Sequence, residues 1–201
     1  MPKRRATVRK QAPSDPLERD RVADTALGLA AETGWYDLRM RDLAARLGVG
    51  LNDLARRYPD PDAVADAVFA RARDAMLAPQ APGFARLKPR DRVERAMLSW
   101  FAALAPHRRV AAEMLRAKLH PTHAHHWAKL PFHLSRLIWW LREAALLTAT
   151  GPRRQAEEIA LSAAFLAALA AWSLDADQAR SRVLLKRLLD GAERMLGWDR
   201  R

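Results

Sequence analysis

The chain has 201 residues, half of them hydrophobic, with a formal charge of +12 and a sequence pI near 11.1. That is enough apolar material for a sizeable core, which excludes a wholly disordered chain. So basic a balance points to an anionic partner: nucleic acid, an anionic membrane surface or an anionic ligand. With no cysteine, disulfides, thiolate metal sites and cysteine nucleophiles are excluded together.

The first ten residues, MPKRRATVRK, carry five positive charges and no acid. With Pro2 and Pro13 and no apolar period, residues 1–14 read as a flexible basic arm. From Pro16 onward nearly everything is helical in pattern: Ala, Leu and Arg dominate and β-branched residues are few. A first helix is predicted from about Pro16 to Thr33, with Val22, Ala23, Ala26, Leu27 and Ala30 as its apolar stripe and Gly34 as its stop. A short helix over Met40–Leu47, the connection Gly48-Val49-Gly50 and a shorter helix over Asn52–Arg57 follow. Asp60 is placed to cap a fourth helix, with Pro61 at its first position and Asp62 near its positive end, running to about Met76.

The stretch PQAPGF at 79–84 breaks the pattern, so a boundary is expected near 80: a head over 15–78 and a second helical domain over 79–201. Residues 1–80 hold 14 basic and 12 acidic side chains, whereas 81–201 hold 21 and 11, so the positive excess belongs to the arm and the second domain. Five helices are predicted there, at about 89–105, 107–119, 131–148, 152–173 and 177–196, punctuated by Pro89, Pro106, Pro121, Pro131 and Gly151-Pro152. The fold class is therefore all-α. Helix 152–173 is apolar nearly all round, and the last helix has a broad stripe of Leu185, Leu188, Leu189, Ala192, Met195 and Leu196. Two such helices bury all their apolar surface by packing on their own domain and on a second copy of the chain. The expected homodimer interface is a four-helix arrangement using Ile159, Leu166, Leu185, Leu188, Leu189 and Met195.

The segment from Arg39 to Val64 has the pattern of a helix-turn-helix: Leu43 and Ala44 inward, a glycine turn at Gly48 with Val49 beneath it, and a second short helix anchored by Leu54 and Tyr58. Here the chain resembles the TetR family of regulators. The matching stretches are Ala30-Ala31-Glu32-Thr33-Gly34, Leu43-Ala44-Ala45-Arg46-Leu47-Gly48-Val49, and Tyr58-Pro59-Asp60-Pro61-Asp62-Ala63-Val64. The resemblance implies a ligand-responsive DNA-binding transcriptional regulator, a repressor, with an effector pocket in the second domain. Where that family's recognition helix usually opens Ser-Lys-x-Thr-x-Tyr, this chain has Gly50, Leu51, Asp53 and Ala55, and Pro61 replaces the exit lysine. Phosphate contacts dominate affinity for DNA, so binding would lean on Arg39, Arg41, Asn52, Arg56 and Arg57, with Lys3, Arg4 and Arg5 of the arm tracking a groove. Arg56 and Arg57 either meet phosphates or form a solvated helix face, and Asp53 either caps or pairs with one of them.

The second domain is also loosely similar to the ubiquinone-biosynthesis accessory family, a TetR-like fold whose members bind lipids, through Arg108-Arg109-Val110 to Leu119-His120-Pro121, Arg153-Arg154 and Trp172-Ser173-Leu174-Asp175. That resemblance implies the alternative of a lipid-binding protein that no longer binds DNA. Either family needs a pocket, for which Met97, Trp100, Phe101, Met114, Phe132, Ile138, Trp139, Trp140, Phe165 and Trp172 supply a mostly apolar lining; a plain helical core would use the same residues. Adjacent Trp139 and Trp140 point about 100° apart on a helix, so one of them is expected to meet a ligand, a partner subunit or a membrane surface.

Five histidines fall in one short stretch, His120, His123, His125, His126 and His133, but their spacing matches no standard metal site and no acid lies among them. A proline-flanked connection that titrates near neutrality is the simpler expectation. GxGxxG, P-loop and GxSxG signatures are missing, and no nucleophile stands beside a base, so no enzyme, metal or cofactor is expected. The expected partners are double-stranded DNA, a second copy of the chain and a hydrophobic small molecule or lipid. The expected location is the cytoplasm, without stable membrane insertion.

Overall fold

The computed structural model describes residues 15, 17–120, 130–175 and 178–198, and among them there is helix and no strand. Helix α1 (Arg19–Thr33) buries the five residues of its predicted stripe. It starts three residues later than the pattern suggests. Asp15 accepts the Leu17 N–H on its carboxylate and the Glu18 N–H on its carbonyl, holding a turn where the helix would otherwise begin. Helix α2 (Met40–Leu47) and helix α3 (Leu51–Arg57) complete the head. Helix α4 (Pro61–Leu77) opens on Pro61, and Asp60 accepts the Ala63 N–H at 2.7 Å as its cap.

The body consists of α5 (Pro89–Leu104), α6 (Arg108–Leu119), α7 (Leu130–Ala144), α8 (Gly151–Leu174) and α9 (Ala179–Leu196). α4 packs on α1 on one side and on α5 on the other, and α8 lies along α9. One continuous buried cluster runs from Val22 in the head to Trp198 after α9. By length and composition α8 resembles a membrane span, yet it packs against α9, α7 and α6 within the subunit.

The pattern predicts that α7 continues to about residue 148, but it ends at Ala144. Leu146 takes a left-handed conformation at φ 55°, the Leu146 N–H bonds the Glu143 carbonyl, and the Leu147 N–H bonds the Arg142 carbonyl. This is a helix stop usually made by glycine. Arg92 of α5 supports it by donating to the carbonyls of Ala145 and Leu146.

Two charged clusters bind the body together. Arg90, buried on α5, meets Asp190 of α9 as well as Asp91 and Glu94 of its own helix. Arg142 of α7 pairs at 3.1 Å with Glu157 of α8, which is also buried and accepts the Trp198 indole N–H at 2.9 Å. Breaking a buried pair of this kind leaves one charge uncompensated, so both clusters hold helix positions.

Candidate nucleic-acid interface

The head is a helix-turn-helix because α2 is stopped sharply. Gly48 is left-handed at φ 72°; its N–H bonds the Ala45 carbonyl and the Val49 N–H bonds the Ala44 carbonyl, closing α2 in a motif that requires positive φ. Gly50 then starts α3, where Leu54 is fully buried. Tyr58, just past the helix, is buried too, with its hydroxyl donating to the Leu17 carbonyl at 3.4 Å. Burial pushes the Tyr58 phenol above its ordinary pKa of 10.0.

Leu54 and Tyr58 fix the rotation of α3. At about 100° per residue, Asn52 and Arg56 lie on the line facing away from Leu54, Leu51 and Ala55 lie on one flank, and Asp53 and Arg57 on the other. All six are exposed; Leu51 is 53% exposed, high for a large apolar side chain.

Charges on this face are partly self-paired. Arg56 donates to Asp53 at 2.6 Å, one turn along the helix, and Arg57 donates to Asp15 at 2.7 Å. The Leu17 N–H, aided by Arg57, holds the Asp15 carboxyl below its ordinary range against an opposing desolvation. Arg41 lies 3.5 Å from Asp42. Arg39, which precedes α2, is exposed and has no ion-pair partner among the described residues. Pairs this exposed contribute about 0–1 kcal/mol each, so a phosphate can displace a carboxylate from Arg57 or Arg41 at little cost. Tyr36, exposed in the loop before Arg39, adds a polar aromatic that sequence reasoning passed over. Lys3, Arg4 and Arg5 lie outside the described residues.

The head is held to the body by ties that local sequence pattern does not signal. Arg19 and Asp74 join α1 to α4 at 2.6 Å, and Arg71 pairs with Asp24 between the same two helices. On α6, Glu113 accepts the Trp35 backbone N–H and pairs with Arg109, which itself donates to the Ala31 carbonyl in the last turn of α1. Further along α6, the buried Lys118 reaches Asp66 of α4 at 3.0 Å and the Asp62 carbonyl at 3.4 Å. α6 thus grips both ends of the head's attachment.

In the body, the residues expected to line a pocket fall into two groups. Trp100, Phe101, Phe165 and Trp172 pack on one another with ring centroids 5.0–5.7 Å apart, and Met97 and Met114 are fully buried. Beside them, between α5, α8 and α9, is a cavity of about 20 Å³ lined by Phe101, Trp172, Ser181, Arg182 and Leu185 among others. Ligand pockets run to about 300–1,000 Å³, so this cavity is too small for a drug-sized effector. Phe132, Trp139 and Trp140 are not part of that group: Phe132 is 70% exposed, and Trp139 and Trp140 stack edge to face with each other on the outer side of α7.

The expected dimer residues divide similarly. Ile159, Leu166 and Met195 are exposed, Leu188 is half-buried, and Val183, not anticipated, is exposed with them. Leu185 and Leu189 are a correction: both are buried in the subunit's own core, because the α9 stripe is broad enough for its centre to face α8 while its edge is left uncovered. His123, His125 and His126 lie outside the described residues; His120 is exposed, and His133 Nδ1 is 4.0 Å from Asp66.

A helix-turn-helix head carried on a helical body, with no strand among the described residues, defines the architecture of a DNA-binding regulator. Solved structures agree. A TetR transcriptional regulator from Nitrosomonas europaea ATCC 19718 is 34% identical, superposes with a TM-score of 0.75, and matches 89% of this chain and 98% of its own. Two further structures share the fold. A TetR transcriptional regulator from Rhodococcus sp. RHA1 has 16% identity, a TM-score of 0.65, and 87% and 94% coverage of the two chains. A TetR-like regulator, also from Rhodococcus sp. RHA1, has 20% identity, a TM-score of 0.52, and 85% and 93% coverage. No family model matches the sequence, and no curated protein does. The chain belongs to the TetR family of transcriptional regulators.

Proposed function

We propose that this protein is a ligand-responsive DNA-binding regulator, a repressor, acting as a homodimer with a hydrophobic effector. The observation that carries the DNA-binding part is the intact helix-turn-helix geometry. Gly48, Leu54 and Tyr58 hold α3 with an exposed, partly cationic outer face, in a chain whose match to a TetR regulator spans head and body alike. A match over both parts does not favour the alternative of a lipid-binding protein that has lost DNA. A role on DNA would put the protein in the compartment that holds the DNA, with the cytoplasm as the proposed location.

The exposed apolar edge of α8 and α9, with Ile159 72% and Met195 70% exposed, is the surface a second copy would cover. The effector would enter by opening the aromatic group around Trp100 and Phe165. Because α6 belongs to that body, packs on α8 and also grips α1 and α4, rearrangement of the body would reset the spacing of the two heads, a two-state coupling between sites.

Titration of labelled DNA from the protein's own gene region, against random duplex at several salt concentrations, tests the proposal. Sequence-selective binding that survives physiological salt supports it. Equal binding to both duplexes, seen at low salt alone, overturns it.

A further inference from the structure

We infer that α3 specifies an A·T pair in each half-site, with Asn52 reading the adenine edge and the Leu51–Ala55 flank packing on the thymine methyl. This rests on the DNA-binding role proposed above and names what the helix selects. In a helix-turn-helix the first residues of the second helix reach the base edges in the major groove. Here those residues are Leu51 and Asn52, both exposed. Asn52 has no hydrogen-bond partner for its side chain among the described residues, and it lies on the line opposite the buried Leu54. Its amide offers a donor and an acceptor side by side, which match adenine N7 and the adenine amino group; guanine presents two acceptors there and leaves the amide oxygen facing another oxygen.

Leu51 is large, apolar and half exposed at the same end of the helix, and Ala55 continues its flank one turn on. The thymine methyl is the apolar group that a base edge presents in the major groove. Arg56 and Arg57, of the residue type that usually selects guanine, are each paired with a carboxylate, Asp53 at 2.6 Å and Asp15 at 2.7 Å. The neutral side chains that open α3 thus match A·T.

The test uses the full-length protein to select binding sites from a pool of random duplexes. The selected duplex is then titrated with each half-site thymine replaced by uracil, which deletes the methyl, and each adenine by 7-deazaadenine, which deletes N7. The expected outcome is an A·T pair shared by both half-sites. At that pair uracil weakens wild-type binding about four-fold, as for one buried methyl, and 7-deazaadenine weakens it roughly ten-fold. Leu51→Ala should bind the thymine and uracil duplexes equally. Asn52→Ala should become indifferent to 7-deazaadenine, with Asn52→Gln recovering part of the discrimination. Both side chains are exposed, so circular dichroism should show these variants folded. A selected site with G·C at the positions sensitive to Leu51 and Asn52 overturns the inference, as does a selected site indifferent to both substitutions; either result leaves the regulator role standing. A pool that yields no preferred sequence overturns the inference and the regulator role together.

Discussion

Glu113 of α6 accepts the backbone N–H of Trp35, in the loop leaving α1, at 2.7 Å, although 78 residues separate the two in sequence. The same carboxylate pairs with Arg109, which donates to the Ala31 carbonyl at 2.8 Å. One acid therefore closes both the end of α1 and the loop that positions α2, and does so from the body. Glu113→Ala should leave the Trp35 N–H without its acceptor and release Arg109, costing about 1–3 kcal/mol. Glu113→Gln keeps an acceptor and should cost less. Urea unfolding gives the total, and hydrogen exchange at the Trp35 amide should quicken in the alanine variant before the body amides do. Unchanged exchange there would mean that the bond does not hold the loop.

The edge formed by Ile159, Leu166, Val183 and Met195 separates assembly from folding. Ile159→Glu with Leu166→Glu puts charge where one subunit leaves apolar surface uncovered. Sedimentation should then find monomers with wild-type helicity. Leu189→Glu places its charge in a fully buried position, and should unfold the subunit or make it insoluble. A wild-type protein that sediments as a monomer at micromolar concentration would sink the interface assignment.

Electrostatic binding should fall first on the arm and on Arg39, which has no carboxylate to exchange among the described residues, whereas Arg56 and Arg57 must first exchange Asp53 and Asp15. Deleting residues 1–10 should weaken binding to all duplexes alike. It should also flatten the dependence of log affinity on log salt, by about one unit for each phosphate the arm had neutralised. Arg39→Ala should have the same sign with a smaller slope change. Titrations at three or more salt concentrations read this directly, and an unchanged slope after arm deletion would remove the arm from the interface.

Much of this architecture is legible in the sequence because it is local. The α1 stripe, the Asp60 cap and the Gly48 stop are each set by side chains within a few residues of one another, so spacing alone reveals them. The pairing of Asp53 with Arg56 is of the same kind. The end of α7 escapes such reading because a leucine, Leu146, takes the left-handed conformation where glycine is the usual signal; the supporting donor is Arg92, 54 residues earlier than Leu146. A left-handed leucine carries roughly 1–2 kcal/mol of strain, which the Arg92 bonds offset. The dimer stripe is over-read for a related reason: periodicity marks a face as apolar but does not say whether its own subunit or a second copy covers it. Leu189 and Met195 differ in that respect alone. Ties such as Lys118 to Asp66 join distant charges, and no sequence period records them.

Alkaline pH should loosen the head through Tyr58. Burial raises the phenol above its ordinary value of 10.0, so the folded head holds the proton more tightly than the unfolded chain does. For a group whose folded pKa is raised, the stabilisation is fully present below the unfolded pKa and is lost as pH rises through the folded one. Stability should therefore be unaffected by this group below about pH 10 and should decline above it, where the unfolded chain ionises Tyr58 first. The chain has two tyrosines, so Tyr36→Phe leaves Tyr58 as the sole phenol, and its ionisation can be followed by ultraviolet absorbance. The expected midpoint lies above that of the same variant in denaturant. Tyr58→Phe gives up the long hydroxyl bond to Leu17, which is weak at 3.4 Å, and should cost little at neutral pH. Above pH 10 it should lose less stability than wild type, because it has no phenol to ionise. If the two proteins lose stability in parallel through that range, the alkaline transition belongs to another group, and Tyr58 serves the head through its packing alone.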